Sequence, residues 1–211
     1  MDYRKIDFEK GKGLYIILDL KTLQKDFITK LQDMLKEQVL AVQIWDNMPD
    51  YSAYAAILKD LVRLLKTYET PILMNNRVDL VEAYQFDGVH FDEIPADWDD
   101  LLPRLAHKIV GITCTNNREI LEWADRQRID YVSFCSMYPS ANNSRCELVD
   151  PEVVAEFQGK YKIPFFLAGG ITPENIDTLS PLSYSGIALV SGLMTRDNPR
   201  ELLKNVLSKM S

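Results

Sequence analysis

Eight short apolar segments recur along the chain, and this recurrence is the feature that most restricts its possible folds. They occupy residues 14–20, 40–46, 71–76, 87–91, 108–114, 130–136, 164–170 and 186–193. Their apolar residues run continuously instead of alternating with polar ones, which is typical of parallel strands covered on both faces. The pattern therefore predicts eight parallel β-strands.

Amphipathic segments between these runs have the spacing of helices. Residues 26–38, 55–68, 117–127 and 199–210 each place apolar side chains along one stripe. Eight strands alternating with helices within 211 residues predict a single-domain (β/α)8 TIM barrel over residues 14–211. Residues 1–13 are expected to form a short N-terminal extension that covers the lower end of the barrel. A doubly wound open sheet is the alternative, but no Gly-x-Gly-x-x-Gly turn follows the first strand.

Composition excludes several classes of protein. A net charge of -7, without a basic cluster, argues against a nucleic-acid-binding face. The apolar runs fall well short of the roughly 20 residues that span a bilayer, so no membrane partner is expected. Cys114, Cys135 and Cys146 are odd in number and lack Cys-x-x-Cys spacing, so we expect a reducing, cytoplasmic location without disulfides.

Polar residues gather where the predicted strands end, which is the functional face of a TIM barrel. The strand-end candidates that this reasoning selects are Gln43, Trp45, Asn75, Asn76, Arg77, His90, Asp92 and Thr113. Trp45 can stack on a flat heterocycle or can simply plug the mouth of the barrel. His90 is an acid/base candidate by residue type, with a structural role as the alternative.

The segment LAGGITPENI, residues 167–176, has the composition of a phosphate site. Gly169 and Gly170 let backbone N–H groups approach an anion, and a helix predicted to start after Thr172 and Pro173 would add positive partial charge. The alternative is that the two glycines only permit a tight turn. Val190 and Ser191 at the end of the next strand complete the predicted phosphate site.

Seven motifs follow one another along the chain: VQIWD, ILMNNRVDLV, DGVHF, IVGITC, DYVSFCSMYPS, LAGGITPENI and GIALVSGL. In this order they resemble the thiamine phosphate synthase and thiazole tautomerase (TenI) superfamily. The resemblance covers nearly all of residues 14–210. It implies a (β/α)8 barrel in thiamine biosynthesis. In that family the synthase couples hydroxymethylpyrimidine diphosphate to thiazole phosphate and releases diphosphate with the help of magnesium.

Several positions depart from the family pattern, above all those that handle diphosphate. Gln43 matches the second-strand motif Gln-Leu-Arg-Glu-Lys, but Trp45 and Asn47 replace its two cations. The remaining candidate cations are Arg77 and Arg145. With His90, these two arginines are the catalytic candidates that the resemblance leaves.

The family's metal-binding carboxylates are also replaced. Asn76 stands where the third-strand motif Asn-Asp-Arg has aspartate, and Ile94 stands at the second metal aspartate. Because Mg²⁺ prefers anionic oxygen ligands, only a weak magnesium site is expected, with Asn76 and Asp92 as its candidates. Thr115 replaces the acid/base histidine of the tautomerase branch.

The substrate-binding candidates that this comparison implies are Gln43, Trp45, Asn75, Thr113, Ser140 and Ser144. The predicted function is that of a thiamine-phosphate-synthase-like protein whose coupling activity is weakened. One alternative is a non-catalytic protein that binds thiazole phosphate or thiamine phosphate. Another is a different phosphate-binding barrel enzyme, such as an isomerase or epimerase. A homodimer is a possible assembly for any of them.

Overall fold

Eight parallel strands close on themselves in the order of the chain, each pairing with the next and the last with the first. This computed structural model describes residues 4–48, 50–139, 147–190 and 193–210. The strands are β1 (Gly13–Leu18), β2 (Val39–Ile44), β3 (Ile72–Asn75), β4 (Gly88–Phe91), β5 (Ile109–Cys114), β6 (Tyr131–Cys135), β7 (Phe165–Ala168) and β8 (Gly186–Leu189). The predicted single-domain (β/α)8 barrel is confirmed. Pairing of β1 with β8 excludes the open sheet.

Helices form the outer layer of the barrel. Within the described ranges they are α1 (Phe27–Met34), α2 (Ala55–Thr67), α3 (Val78–Tyr84), α4 (Trp98–Leu101), α5 (Arg118–Gln127), α6 (Pro151–Lys160) and α7 (Pro199–Lys209). Side chains of Asn117, Asp150 and Asn198 cap α5, α6 and α7 by accepting from backbone N–H groups. None of the helices in the described part of the chain is long and apolar enough to cross a membrane.

The helix predicted after Thr172 and Pro173 is wrong. Only a four-residue 3-10 turn, Ile176–Leu179, follows β7. The side chain of Asn175 accepts from Thr172 N–H at 2.8 Å and donates to Gly170 O at 2.8 Å, which closes a turn where a helix would begin. Pro181 then stops a helix from continuing, because proline lacks the N–H and clashes with the preceding turn.

Both faces of the sheet are buried, which explains the unbroken apolar runs. Leu14, Ile16 and Leu18 of β1 point outward into the core beneath the helices. Tyr15, between them, points into the barrel and packs with Tyr131 and other interior residues. The interior cluster thus combines three large aromatic side chains with aliphatic ones.

The N-terminal segment closes the barrel at the amino ends of the strands. Ile6 is buried in the interior cluster, and the ring of Phe8 lies 6.0 Å from that of Phe166. Arg4 forms a salt bridge with Asp87, the residue before β4, and donates to Thr70 O. Strand β1 follows this segment and begins at Gly13.

Candidate functional site

A cavity of about 740 Å³ opens at the carboxyl ends of the strands, and all eight strands or the residues directly after them contribute to its wall. Tyr15, Trp45, Tyr131 and Phe166 are the large aromatic residues among those that line it. The residues of the sequence prediction that line this cavity are Gln43, Trp45, Asn75, His90, Asp92, Thr113, Gly169, Gly170 and Val190.

The remaining candidates divide into two groups. Ser140, Ser144, Arg145 and Ser191 fall outside the described residues. Arg77 and Asn76 are described, but neither lines the cavity.

The residues after β2 divide between the cavity and its rim. Gln43 and Trp45 line the cavity, and the backbone N–H of Trp45 donates to Leu18 O at 3.0 Å. Asp46 accepts from Tyr51 OH. Partial burial raises the pKa of Asp46, with Asp92 and Asp79 adding to the effect and Arg77 opposing it. Trp45 and Asn47 stand where the family pattern has its two cations. Asn47 donates to Asp19 Oδ1 at 2.8 Å and does not line the cavity, so only Trp45 of these two residues reaches it.

Arg77 is occupied by its own neighbours. Its guanidinium donates to both carboxylate oxygens of Asp79, at 2.9 Å and 2.6 Å, and lies 4.5 Å from the ring centroid of Tyr51. The bond to Asp79 raises the pKa of Arg77 and lowers that of Asp79. Releasing this arginine to hold a diphosphate would break a two-point ion pair.

Asp92 is held by two asparagine side chains in an arrangement that we call the amide clasp, formed by Asn75, Asn76 and Asp92. Asn75 Nδ2 donates to Asp92 Oδ1 at 2.9 Å, and Asn76 Nδ2 donates to Asp92 Oδ2 at 2.8 Å. Asp92 N–H in turn donates to Asn76 Oδ1 at 3.0 Å. Asn76 has a φ of 57°, a left-handed conformation that asparagine tolerates well. The clasp joins the ends of β3 and β4.

The amide clasp does not suit the magnesium ion that the family implies. Both oxygens of Asp92 face N–H donors, and the one amide oxygen of Asn76 already accepts from backbone. Magnesium needs oxygen ligands in near-octahedral arrangement, and an N–H group directed at the same space repels a cation. Among the described residues, no group of three or more acidic, histidine or cysteine side chains could hold a metal.

Restoring a carboxylate at position 76 should restore a response to magnesium. In Asn76→Asp, two carboxylates face each other, and bound Mg²⁺ relieves their repulsion. We expect millimolar Mg²⁺ to raise the melting temperature of this variant by about 2–4 °C, which corresponds to roughly 1 kcal/mol. The wild type and Asn76→Gly, which tolerates the left-handed backbone without adding charge, should show no rise. An equal rise in the wild type would contradict the clasp interpretation.

The turn after β7 brings backbone close to the cavity. Gly169 and Gly170 have φ values of 87° and 66°. A Cβ on Gly169 would lie 1.9 Å from Ser136 Oγ, and one on Gly170 would lie 2.6 Å from Tyr138 O. Their carbonyl groups accept from Tyr138 N–H and Asn175 Nδ2. Among the described residues, the N–H groups of Gly169 and Gly170 have no hydrogen-bond acceptor.

Arg196 is a cavity residue that the sequence reasoning missed. It follows β8 and is the single cation among the described residues that line the cavity. No carboxylate lies within salt-bridge distance of its guanidinium in the described part of the chain. Glu174 also lines this end of the cavity, and its pKa is lowered by a hydrogen bond with Thr172 and, more weakly, by Arg196. The sequence offered one signal that Arg196 lines the cavity, namely its position after the end of a strand.

His90 is enclosed and neutral. Its Nε2 lies 2.8 Å from Thr113 Oγ1 and its Nδ1 lies 2.9 Å from Tyr131 OH. Burial lowers the pKa of His90 to about 4, although the negative charge of Asp92 opposes the shift. Both ring nitrogens are therefore engaged, and near pH 7 the imidazole carries no charge.

Known proteins with similar sequences carry related names. Thiamine-phosphate synthase of Methanobrevibacter smithii is 25% identical over 203 residues, which cover 93% of this chain and 94% of the relative. Thiamine-phosphate synthase 1 of Aquifex aeolicus is 29% identical over 188 residues, covering 86% of this chain and 85% of the relative.

A solved structure, thiamine phosphate pyrophosphorylase from Pyrococcus furiosus, superposes with a TM-score of 0.79 over 94% of this chain and 95% of its own, at 21% identity. At that identity the likeness shows a shared fold. The family described as thiamine monophosphate synthase matches residues 14–193, which is most of the sequence. The chain therefore belongs to the thiamine monophosphate synthase family.

Proposed function

We propose that the protein works in the cytoplasm in thiamine biosynthesis, and that its cavity holds thiazole phosphate, with thiamine phosphate as the related product. The observation that carries the proposal is the phosphate end of the cavity. Gly169 and Gly170, whose N–H groups have no acceptor among the described residues, line the same cavity as Arg196. Backbone N–H groups and an arginine are the donors that phosphate recognition uses.

The aromatic residues that line the cavity support a flat ring as the other half of the ligand. Trp45, Tyr15 and Phe166 line the cavity, and aromatic faces stack on planar heterocycles while contributing large apolar contact areas. We therefore assign the ring of the ligand to these aromatic residues and its phosphate to Gly169, Gly170 and Arg196.

The coupling reaction of the family is the first candidate activity for this cavity. Relatives across 86–93% of this chain are named thiamine-phosphate synthases. In that reaction thiazole phosphate is the acceptor and diphosphate leaves from hydroxymethylpyrimidine diphosphate, so a departing anion must be stabilised.

Binding without turnover is the second candidate, and two observations favour it. Arg77 is paired with Asp79 and lies outside the cavity. The amide clasp includes Asn76, which stands where the resemblance implies a metal-binding aspartate. Each lost charged contact to a developing anion costs roughly 3 kcal/mol in comparable sites, so coupling should be slow if it occurs.

Diphosphate release separates the two candidates. The protein is incubated with hydroxymethylpyrimidine diphosphate, thiazole phosphate and Mg²⁺, and released diphosphate is measured beside binding of thiazole phosphate. Turnover supports the synthase activity. Binding without release supports the second candidate. Absence of thiazole phosphate binding contradicts both.

Arg196→Ala should weaken binding of thiazole phosphate by about tenfold or more, because a charged hydrogen bond contributes roughly 1.5–3 kcal/mol. Calorimetric titration measures the affinity. Arg63→Ala, which removes the same charge from an exposed position on α2, is the matched control and should bind as the wild type does. Equal affinities for the two variants would remove Arg196 from the site.

A further inference from the structure

A chain of hydrogen bonds connects side chains that form the floor of the cavity. Tyr15 OH lies 2.8 Å from Gln43 Oε1 and 2.8 Å from Tyr131 OH. Tyr131 OH lies 2.9 Å from His90 Nδ1, and His90 Nε2 lies 2.8 Å from Thr113 Oγ1. Five side chains from β1, β2, β4, β5 and β6 are thus connected end to end.

The direction of this chain follows from counting protons. Gln43 Oε1 is an amide oxygen and can only accept, so Tyr15 gives it its single hydroxyl proton. Tyr15 must then accept from Tyr131. With its proton used, Tyr131 accepts from His90, which places the imidazole proton on Nδ1. The bare Nε2 of His90 accepts from the hydroxyl of Thr113.

The enclosure of the chain keeps its members neutral. Tyr15, Gln43, His90 and Tyr131 are each 5% exposed or less. Burial raises the pKa of Tyr15 and of Tyr131 and lowers that of His90. Each tyrosine hydroxyl and the imidazole therefore keeps one proton near pH 7, and each can donate that proton to one neighbour in the chain of hydrogen bonds.

The packing around Tyr131 keeps its hydroxyl group within hydrogen-bond distance of both Tyr15 and His90. Gly111 lies against its ring, and a Cβ at that position would come within 2.1 Å of Tyr131 Cζ. The rings of His90 and Tyr131 are stacked with centroids 5.5 Å apart and planes 24° apart. A small residue on β5 thus lets Tyr131 reach both Tyr15 and His90.

We propose that Tyr15, Tyr131 and His90 are positioning residues that fix the polarity of the cavity floor. With its Oε1 bound to Tyr15, Gln43 presents only the N–H donors of Nε2 to the cavity. Thr113, whose proton is given to His90, presents only oxygen lone pairs. The floor therefore selects a ligand edge with an acceptor facing Gln43 and, where it reaches Thr113, an N–H or O–H donor.

The tautomer of His90 tests the direction of the chain without any ligand. The protein contains two histidines, so ¹⁵N-histidine labelling gives spectra of two rings, and His107→Gln identifies the exposed one. At pH 7, His90 is expected as the neutral Nδ1–H tautomer. An Nε2–H tautomer or an imidazolium ion at His90 would overturn the proposal, since either requires the opposite direction or a broken chain.

Two variants probe the chain from its two sides. In Tyr131→Phe, Nδ1–H loses its acceptor, and His90 should change to the Nε2–H tautomer, which can donate to Thr113. In Thr113→Val, Nδ1–H keeps its acceptor, and the tautomer should not change. An Nδ1–H tautomer retained in Tyr131→Phe would contradict the proposal. If that variant fails to fold, the wild-type and Thr113→Val spectra still decide it.

Recognition of a ligand by this polarity rests on the proposed function, whereas the tautomer of His90 belongs to the ligand-free protein. Thiazole phosphate is a suitable probe because its ring nitrogen accepts and carries no proton. Gln43→Glu replaces the donors of Nε2 with oxygen and should weaken the binding of thiazole phosphate at least tenfold. Thr113→Ser, which keeps the hydroxyl, should change this affinity less than threefold.

Unchanged affinity in Gln43→Glu would overturn the assigned polarity. Absence of binding by the wild type would contradict the proposed function, while the tautomer alone would then decide the direction of the chain.

Discussion

Replacing Gly169 by alanine is expected to lower the free energy of unfolding by about 3 kcal/mol or more and to abolish detectable binding of thiazole phosphate. The backbone at Gly169 has a φ of 87°, which strains any residue with a Cβ. The added methyl group would also lie 1.9 Å from Ser136 Oγ and 2.8 Å from Ser136 Cα. The backbone atom cannot rotate away, so the turn itself must move.

Gly159→Ala is the matched control for this substitution. Gly159 lies in α6, and a Cβ there meets nothing within 4 Å. Alanine should stabilise that helix by about 0.5–1 kcal/mol, because it loses less backbone entropy than glycine on folding. Urea denaturation of both variants measures the contrast. A Gly169→Ala protein with wild-type stability and wild-type ligand affinity would show that the turn is not constrained as described.

Lowering the pH from 7 to 4 is expected to remove about 3 kcal/mol of stability through His90 alone. The pKa of His90 is about 4 in the folded protein, against 6.5 for an ordinary histidine. Between these values the unfolded chain binds a proton that the folded chain does not. The contribution of His90 is therefore fully present above pH 6.5 and is lost as the pH falls toward 4.

Comparison with His90→Gln isolates this effect from the titration of carboxyl groups. Urea denaturation of both proteins at several pH values gives the difference in their free energies of unfolding. That difference should shrink by about 3 kcal/mol between pH 7 and pH 4, since only the wild type must keep a buried imidazole neutral. A difference that stays constant across this range would show that His90 is not held in the neutral form.

The strands of the barrel could be predicted from the sequence because both faces of the sheet are covered. Each of the eight apolar runs contains the strand that the structure shows, apart from one-residue extensions at Gly13 and Val39. The same burial on both faces kept the polar residues of the barrel interior from being predicted. Tyr15 and Tyr131 lie among apolar neighbours that face the helices, so no alternation of polar and apolar residues marks them as members of a polar chain.

Long side chains and loop turns limited the prediction of the site. The end of β3 determines the backbone position of Arg77. The direction of its side chain is set by Asp79, two residues later, to which the guanidinium donates. Arg196 lies beyond the end of β8, where no periodicity indicates its direction. After β7, the signals for a helix start are present, yet the side chain of Asn175 satisfies the backbone groups that a helix would use.

The amide clasp stands at two strand ends where the resemblance implies metal-binding residues. Asn75 and Asn76 hold Asp92 by hydrogen bonds, so the ends of β3 and β4 are joined without a cation. Trp45 and the turn at Gly169 line the same cavity as Asn75 and Asp92. This combination is what leads us to expect ligand binding that does not depend on magnesium.

Calorimetric titration of the wild-type protein with thiazole phosphate in the presence of EDTA tests the central claim most directly. We expect saturable binding at one site, and an affinity about 100-fold lower for the same thiazole without its phosphate, which corresponds to roughly 3 kcal/mol. Equal affinity for the two compounds, or binding of thiazole phosphate only after Mg²⁺ is added, would contradict the claim that backbone N–H groups and Arg196 hold the phosphate.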